Sequence, residues 1–213
     1  MQALERTVLD SNWITILMVF LLICISLLKG ISVVRLKGVL FSIVNTSYIE
    51  EEIEENTSFF NLFKSMVFLF SMLVFSLAGY KIIVFYKIVS NVDFYTFLNV
   101  LGAISAFFTV KWLLEIVFSY VFLINKQIKF FLFSKLSYLY SLSFYLLIAL
   151  VLVEYSQLNT VFLIYFSAFL FAIRFLLHVV NNKKLIFSEL FYFILYLCAF
   201  EIAPLFILFK LIF

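Results

Sequence analysis

From Trp13 to Leu28 the chain runs through sixteen residues without a charged side chain, and further apolar stretches recur at about 61–81, 94–124, 138–153, 160–180 and 187–208. An α-helix rises about 1.5 Å per residue, so stretches of this size suit a hydrocarbon core about 30 Å thick. In that medium every backbone N–H and C=O must be paired within the protein, which leaves helices and closed barrels as spanning structures. Barrel strands are short and punctuated by turns. This chain has only four glycines and one proline against 31 phenylalanines and 12 tyrosines, which favours uninterrupted helices. Hydrophobic residues reach 66% and mean hydropathy is +1.20, whereas soluble domains are about half apolar. The expected fold is therefore all-α: an integral membrane bundle of about six transmembrane helices plus one amphipathic interfacial helix, in a single domain over residues 1–213.

Ser11 and Asn12 are cap candidates for the helix at 13–28, Trp13 is an interfacial anchor, and Lys29 with Gly30 ends the run. Glu5 and Asp10 stand beside Arg6 and no small-residue cleavage site follows, so the first segment is expected to stay as a helix. Over 31–45, Ser32, Arg35, Gly38, Ser42 and Asn45 recur every three or four positions among aliphatic residues. That period predicts a helix lying along the membrane surface, with Arg35 and Lys37 placed for anionic headgroups. Residues 46–58 are the clearly aqueous stretch. Glu50, Glu51, Glu52, Glu54 and Glu55 there read as a solvated acidic loop or as a docking site for a basic partner. The stretch at 94–124 exceeds what a bilayer requires and is interrupted by Lys111 and Glu115, so it is either tilted or leaves the core near Glu115. Glu154 closes the stretch at 138–153, and Asn181 to Lys184 separate the last two.

With six spans, lysine and arginine divide unevenly. Ten fall at the ends and loops that follow the first, third and fifth spans, and four (Arg6, Lys81, Lys87 and Lys210) fall on the opposite side. Positive-inside bias then puts both termini outside and the acidic loop inside. On this topology Lys111, Glu115, Arg174, His178 and Glu189 share one level near the inner ends of their helices. Lys111 with Glu115, and Arg174 with His178, are i,i+4 pairs, each on one helix face. Two readings stay open: these side chains snorkel to the inner headgroups, or they neutralise one another between helices.

Glu201 differs, because it lies about fourteen residues, or roughly 21 Å, into a helix entered from the inside. A carboxylate in hydrocarbon costs about 2.5 kcal/mol or more, so Glu201 should face protein or water and have a partner. Lys81, at the same outer level, is the candidate. Pro204, three residues on, lacks an N–H and predicts a kink one turn below itself.

No GxSxG, HExxH or glycine-rich phosphate loop occurs, so no catalytic residue, metal site or cofactor is expected, and the protein reads as no enzyme. His178 is the only histidine, which rules out bis-histidine haem within one chain. Cys24 and Cys198 lie in apolar segments without metal or redox spacing and read as buried thiols. A net charge of +3 without a basic, aromatic-interleaved stripe argues against nucleic acid.

The run Tyr196-Leu197-Cys198-Ala199-Phe200-Glu201-Ile202-Ala203-Pro204, after Arg174 and the polar break, resembles the close of a family of small multi-pass inner-membrane proteins of Bacteroidota. Asn12-Trp13-Ile14-Thr15 and Lys111 fit the same family, while segment four departs from it in lacking Gly and Pro near its outer end. The resemblance implies a bacterial inner-membrane location and no particular activity. With short loops, the chain reads as a structural or assembly subunit of an envelope complex, of the secretion or gliding kind, with the lipid bilayer and a protein partner or second copy as neighbours. The other class is a small ion- or proton-coupled transporter or channel subunit using Glu201 and the Lys111/Glu115/Arg174 cluster.

Overall fold

The computed structural model describes residues 12–42, 62–86, 93–121, 126–156 and 158–181, with the backbone alone at 111–121, 126–133, 135 and 178–181. Among these residues the chain is helical throughout its regular structure: α1 (Asn12–Ile31), α2 (Val33–Phe41), α3 (Leu62–Phe85), α4 (Phe94–Val121), α5 (Lys126–Tyr155) and α6 (Thr160–Asn181). Four stretches are long and apolar enough to cross a membrane: Asn12–Ile31, Leu62–Phe85, Leu136–Tyr155 and Thr160–Leu177. The described apolar part of α4 runs over Phe94–Val110. The acidic stretch 46–58 and the last predicted span, 187–208, lie outside the described residues.

Local chemistry sets the helix ends. Ser32 serves two helices at once: its N–H donates to the Leu28 carbonyl, closing α1, and its Oγ accepts from the Arg35 N–H at 3.3 Å, opening α2. A single residue therefore turns the corner. Asn159 begins α6 by accepting the Val161 N–H on Oδ1 at 3.3 Å. The hydropathy signal places the fourth span at 138–153, and the helix that carries it starts earlier, at Lys126. Apolar content reports the thickness of the bilayer, whereas a helix continues into water for as long as its backbone bonds do.

Two helices form the centre. α3 is buried on nearly every side, from Phe63, Val67 and Phe70 to Ser76, Leu77 and Tyr80. α5 is similar, with Leu142, Leu146 and Leu150 almost fully covered. A helix that is apolar all round belongs in the middle of a bundle. The two run parallel. Phe70 stacks on Phe144 with centroids 4.6 Å apart, the Ser71 and Ser143 hydroxyls meet at 3.1 Å, and Lys81 reaches Glu154. Ten residues along α3 thus match eleven along α5, about 15 Å of continuous register.

The remaining helices wrap this pair. α4 returns antiparallel beside α3, with Tyr80 by Phe97 at 6.1 Å and Phe75 by Phe108 at 5.9 Å. α1 adds a single stripe, Ile14, Met18, Leu21 and Leu28, and turns Ile16, Phe20 and Ile23 outward. α6 adds Leu163 and Leu170 and leaves Tyr165, Phe169 and Leu176 exposed. Apolar outer faces on helices of this length mark a membrane protein, in which lipid replaces water.

α2 departs from the sequence expectation in which side it shows. The polar stripe through Ser32, Arg35, Gly38 and Ser42 is half-buried or buried, and the exposed residues are Val33, Val34, Lys37 and Phe41. The buried end of the stripe faces α5, where Ser42 Oγ donates to the Ser137 carbonyl at 3.3 Å. The three-to-four-residue period is present, but its polar face meets protein.

Candidate functional site

Charge and unmet polarity gather at the end of the bundle that holds Trp13. Lys81 lies in the last turns of α3, one residue after Tyr80, and Glu154 lies one residue before the end of α5. Because α3 and α5 are parallel and in register, both side chains emerge at the same depth. Lys81 Nζ donates to Glu154 Oε2 at 2.5 Å, with the two side chains 21% and 15% exposed. Each charge is thereby neutralised at a rim where neither is fully hydrated.

Beside the pair stands a cluster of rings. Trp13 meets Tyr80 edge-on at 5.2 Å, Phe94 at 5.5 Å and Phe97 at 5.2 Å, joining α1, α3 and α4. Edge-to-face pairs of this kind contribute about 0.5–1.5 kcal/mol beyond their buried area. Tyr80 is only 1% exposed and its hydroxyl has no hydrogen-bond partner among the described residues. An ion pair, a buried phenol and a ring cluster thus converge on one rim, fixing four helix ends, those of α1, α3, α4 and α5, relative to one another.

The second polar zone is uncharged and runs along α5. Ser143 faces α3, bonding Ser71 at 3.1 Å, while Ser137, Ser141 and Tyr145 face α2. Several serine hydroxyls on these helices also donate to a carbonyl three or four residues back, as Ser71 does to Val67, Ser76 to Met72 and Ser143 to Tyr140. Small hydroxyl residues let helices approach closely and still satisfy their polar atoms in lipid.

Of the residues singled out in the sequence, Lys81 is described, and the carboxylate it meets is Glu154. Glu201, Glu189 and Pro204 lie outside the described residues, as do Glu50, Glu51, Glu52, Glu54 and Glu55. Lys111 and Glu115 fall on α4 and His178 on α6, each with backbone alone, and Arg174 is half-buried on α6. The partner role of Glu154 was open to sequence reasoning: segments two and four cross the membrane in the same direction, which sets Lys81 and Glu154 at one level. Tyr80 and the α5 serines carried no signal beyond their place in apolar runs.

Residues 14–212 match the family described as a domain of unknown function, DUF4271. The chain belongs to the DUF4271 family. The matched region takes in nearly all of α1 and every later helix described, so the Lys81–Glu154 rim and the α5 serine seam both fall within the DUF4271 unit. No curated protein and no solved structure matches the chain.

Proposed function

We propose that this DUF4271 protein is a non-enzymatic structural or assembly subunit of a cell-envelope complex in the bacterial inner membrane. The observation that carries this reading is the closure of the Lys81–Glu154 pair at the rim of the two central helices. A charge pair spent on holding one helix against another supports a fixed scaffold, because moving a charge through that rim would first require the pair to open. The serine contacts between α3, α5 and α2 support the same reading, since they also tie helix to helix.

In this reading both termini are periplasmic, and residues 46–58 present Glu50 to Glu55 to a basic partner on the cytoplasmic side. A Bacteroidota envelope machine, such as one for secretion or gliding, is the proposed setting. Affinity purification in mild detergent tests it. The expected result is a stoichiometric co-purifying chain, lost when the five glutamates are changed to glutamine. Repeated recovery of this chain alone, together with substrate-specific proteoliposome flux abolished by Glu201→Gln, would replace the scaffold with a transporter.

A further inference from the structure

We propose that α2 is immersed in the bilayer rather than laid on its surface, and that the corner between α1 and α2 binds an anionic phospholipid. This goes beyond the scaffold reading and does not depend on it. At 100° per residue, Val33, Lys37 and Phe41 stack on one face with Val34 beside them, while Leu36, Val39 and Ser42 lie on the opposite side. The first face is the exposed one: Val34 is 77% and Phe41 59% exposed. A surface helix shows its polar residues outward and hides its apolar ones. α2 hides Leu36 and Val39 but turns Ser42 inward with them and leaves Val33, Val34 and Phe41 exposed around the single charge of Lys37, and an outer face so largely apolar is favourable in hydrocarbon.

The hydrogen bonds at its C-terminal end agree. The Leu40 carbonyl is among the last four of the helix, which have no partner within it. It accepts from Ser141 Oγ at 2.8 Å and from Tyr145 Oη at 3.2 Å, both on α5. Ser42, fully buried, donates to the Val39 carbonyl at 2.8 Å as well as reaching Ser137. A helix end in water is satisfied by water, whereas in lipid each of these groups needs a donor from the protein. Ser141 lies five residues inside the span Leu136–Tyr155, about 7 Å below its start, and the end of α2 reaches that level.

The ligand class follows from charge. Lys29, in the last turn of α1, and Lys37, on the outer face of α2, are both exposed on either side of the Ser32 corner. The carboxylates with described side chains, Asp93 and Glu154, sit at the opposite end of the bundle. Two ammonium groups above an apolar surface of Ile31, Val33, Val34 and Phe41 match a lipid phosphate above its acyl chains, with Lys37 extending along the surface to reach it.

Two measurements on the full chain test this. A spin label at Val34→Cys, with Cys24 and Cys198 replaced by alanine and the protein in vesicles, should collide with dissolved oxygen and be shielded from a water-soluble nickel complex. Nickel accessibility equal to that of an aqueous-loop label would overturn the immersion of α2. Native mass spectrometry of delipidated protein should show phosphatidylglycerol retained over phosphatidylcholine by roughly tenfold, the preference vanishing in Lys29→Gln/Lys37→Gln. Equal retention of the two lipids, or a preference that survives the double substitution, would overturn the lipid site. The spin-label result stands even if the double variant fails to fold.

Discussion

Lys81 and Glu154 meet at 2.5 Å at the ends of two parallel helices, in register with the Ser71–Ser143 contact ten residues back along α3. Fully solvated pairs contribute little and fully buried ones cost much to break, and this pair is largely but not wholly covered. Lys81→Met and Glu154→Gln should each lower the thermal midpoint in detergent. Lys81→Met/Glu154→Gln should lose less than the sum, with a coupling of about 0.5–3 kcal/mol. Strict additivity would show that the two charges act independently.

The capping of α2 by α5 makes a second expectation. Ser141→Ala and Tyr145→Phe each remove one donor to the Leu40 carbonyl and should cost about 0.5–1.5 kcal/mol. Together they leave that acceptor without a hydroxyl, for a cost of about 1–3 kcal/mol. Hydrogen exchange across α2 reads the difference. Exchange in the double variant equal to wild type would mean that α2 is held by its apolar contacts alone.

Gly79 reports on the seam between α3 and α4. A Cβ there would stand 3.2 Å from Ile104 Cδ1 and 3.6 Å from Val100 Cγ1. The first neighbour is the far end of a flexible side chain, so Gly79→Ala should be near neutral, the crowding offset by a helix-propensity gain of up to about 1 kcal/mol. Gly79→Leu should destabilise by about 1–3 kcal/mol, because its bulk must separate the helices. A thermal midpoint unchanged in the leucine variant would contradict the close approach.

How much of this was legible in the sequence depends on what each residue reports. The helices at Asn12–Ile31, Leu62–Phe85 and Thr160–Asn181 follow from long, largely apolar runs, since lipid imposes one solution on such a run. The start of α5 at Lys126 was hidden, because hydropathy falls off where the membrane ends and the helix does not. The stripe on α2 was visible as a period, but a period does not say whether its polar side meets water or Ser137. Lys81 is legible as a membrane-edge cation and as a candidate partner for Glu201, which lies outside the described residues, whereas the carboxylate it meets is Glu154. Choosing Glu154 required knowing that α3 and α5 are neighbours, a relation between elements that neither segment encodes alone.

Glu201, beyond the described residues, retains the expectation set by its depth. Glu201→Leu should reduce recovery of the assembled complex more than Glu189→Leu, because Glu189 is near enough to the inner surface to reach water. Pull-down yield of a tagged chain compares the two. Equal yields would remove Glu201 from any special role.

The parallel, in-register packing of α3 on α5 is the claim on which the rest stands, and a cross-link tests it most directly. Ser71→Cys/Ser143→Cys, with Cys24 and Cys198 replaced by alanine, sets two thiols where hydroxyl oxygens now lie 3.1 Å apart, so that a small side-chain rotation brings the sulfurs to the bonding distance of about 2.05 Å. Oxidation in native membranes with copper phenanthroline should give an intramolecular bond in nearly every molecule, read by the mass of the peptide pair. Two thiols that remain free after oxidation, yet react fully once the protein is denatured, would contradict it.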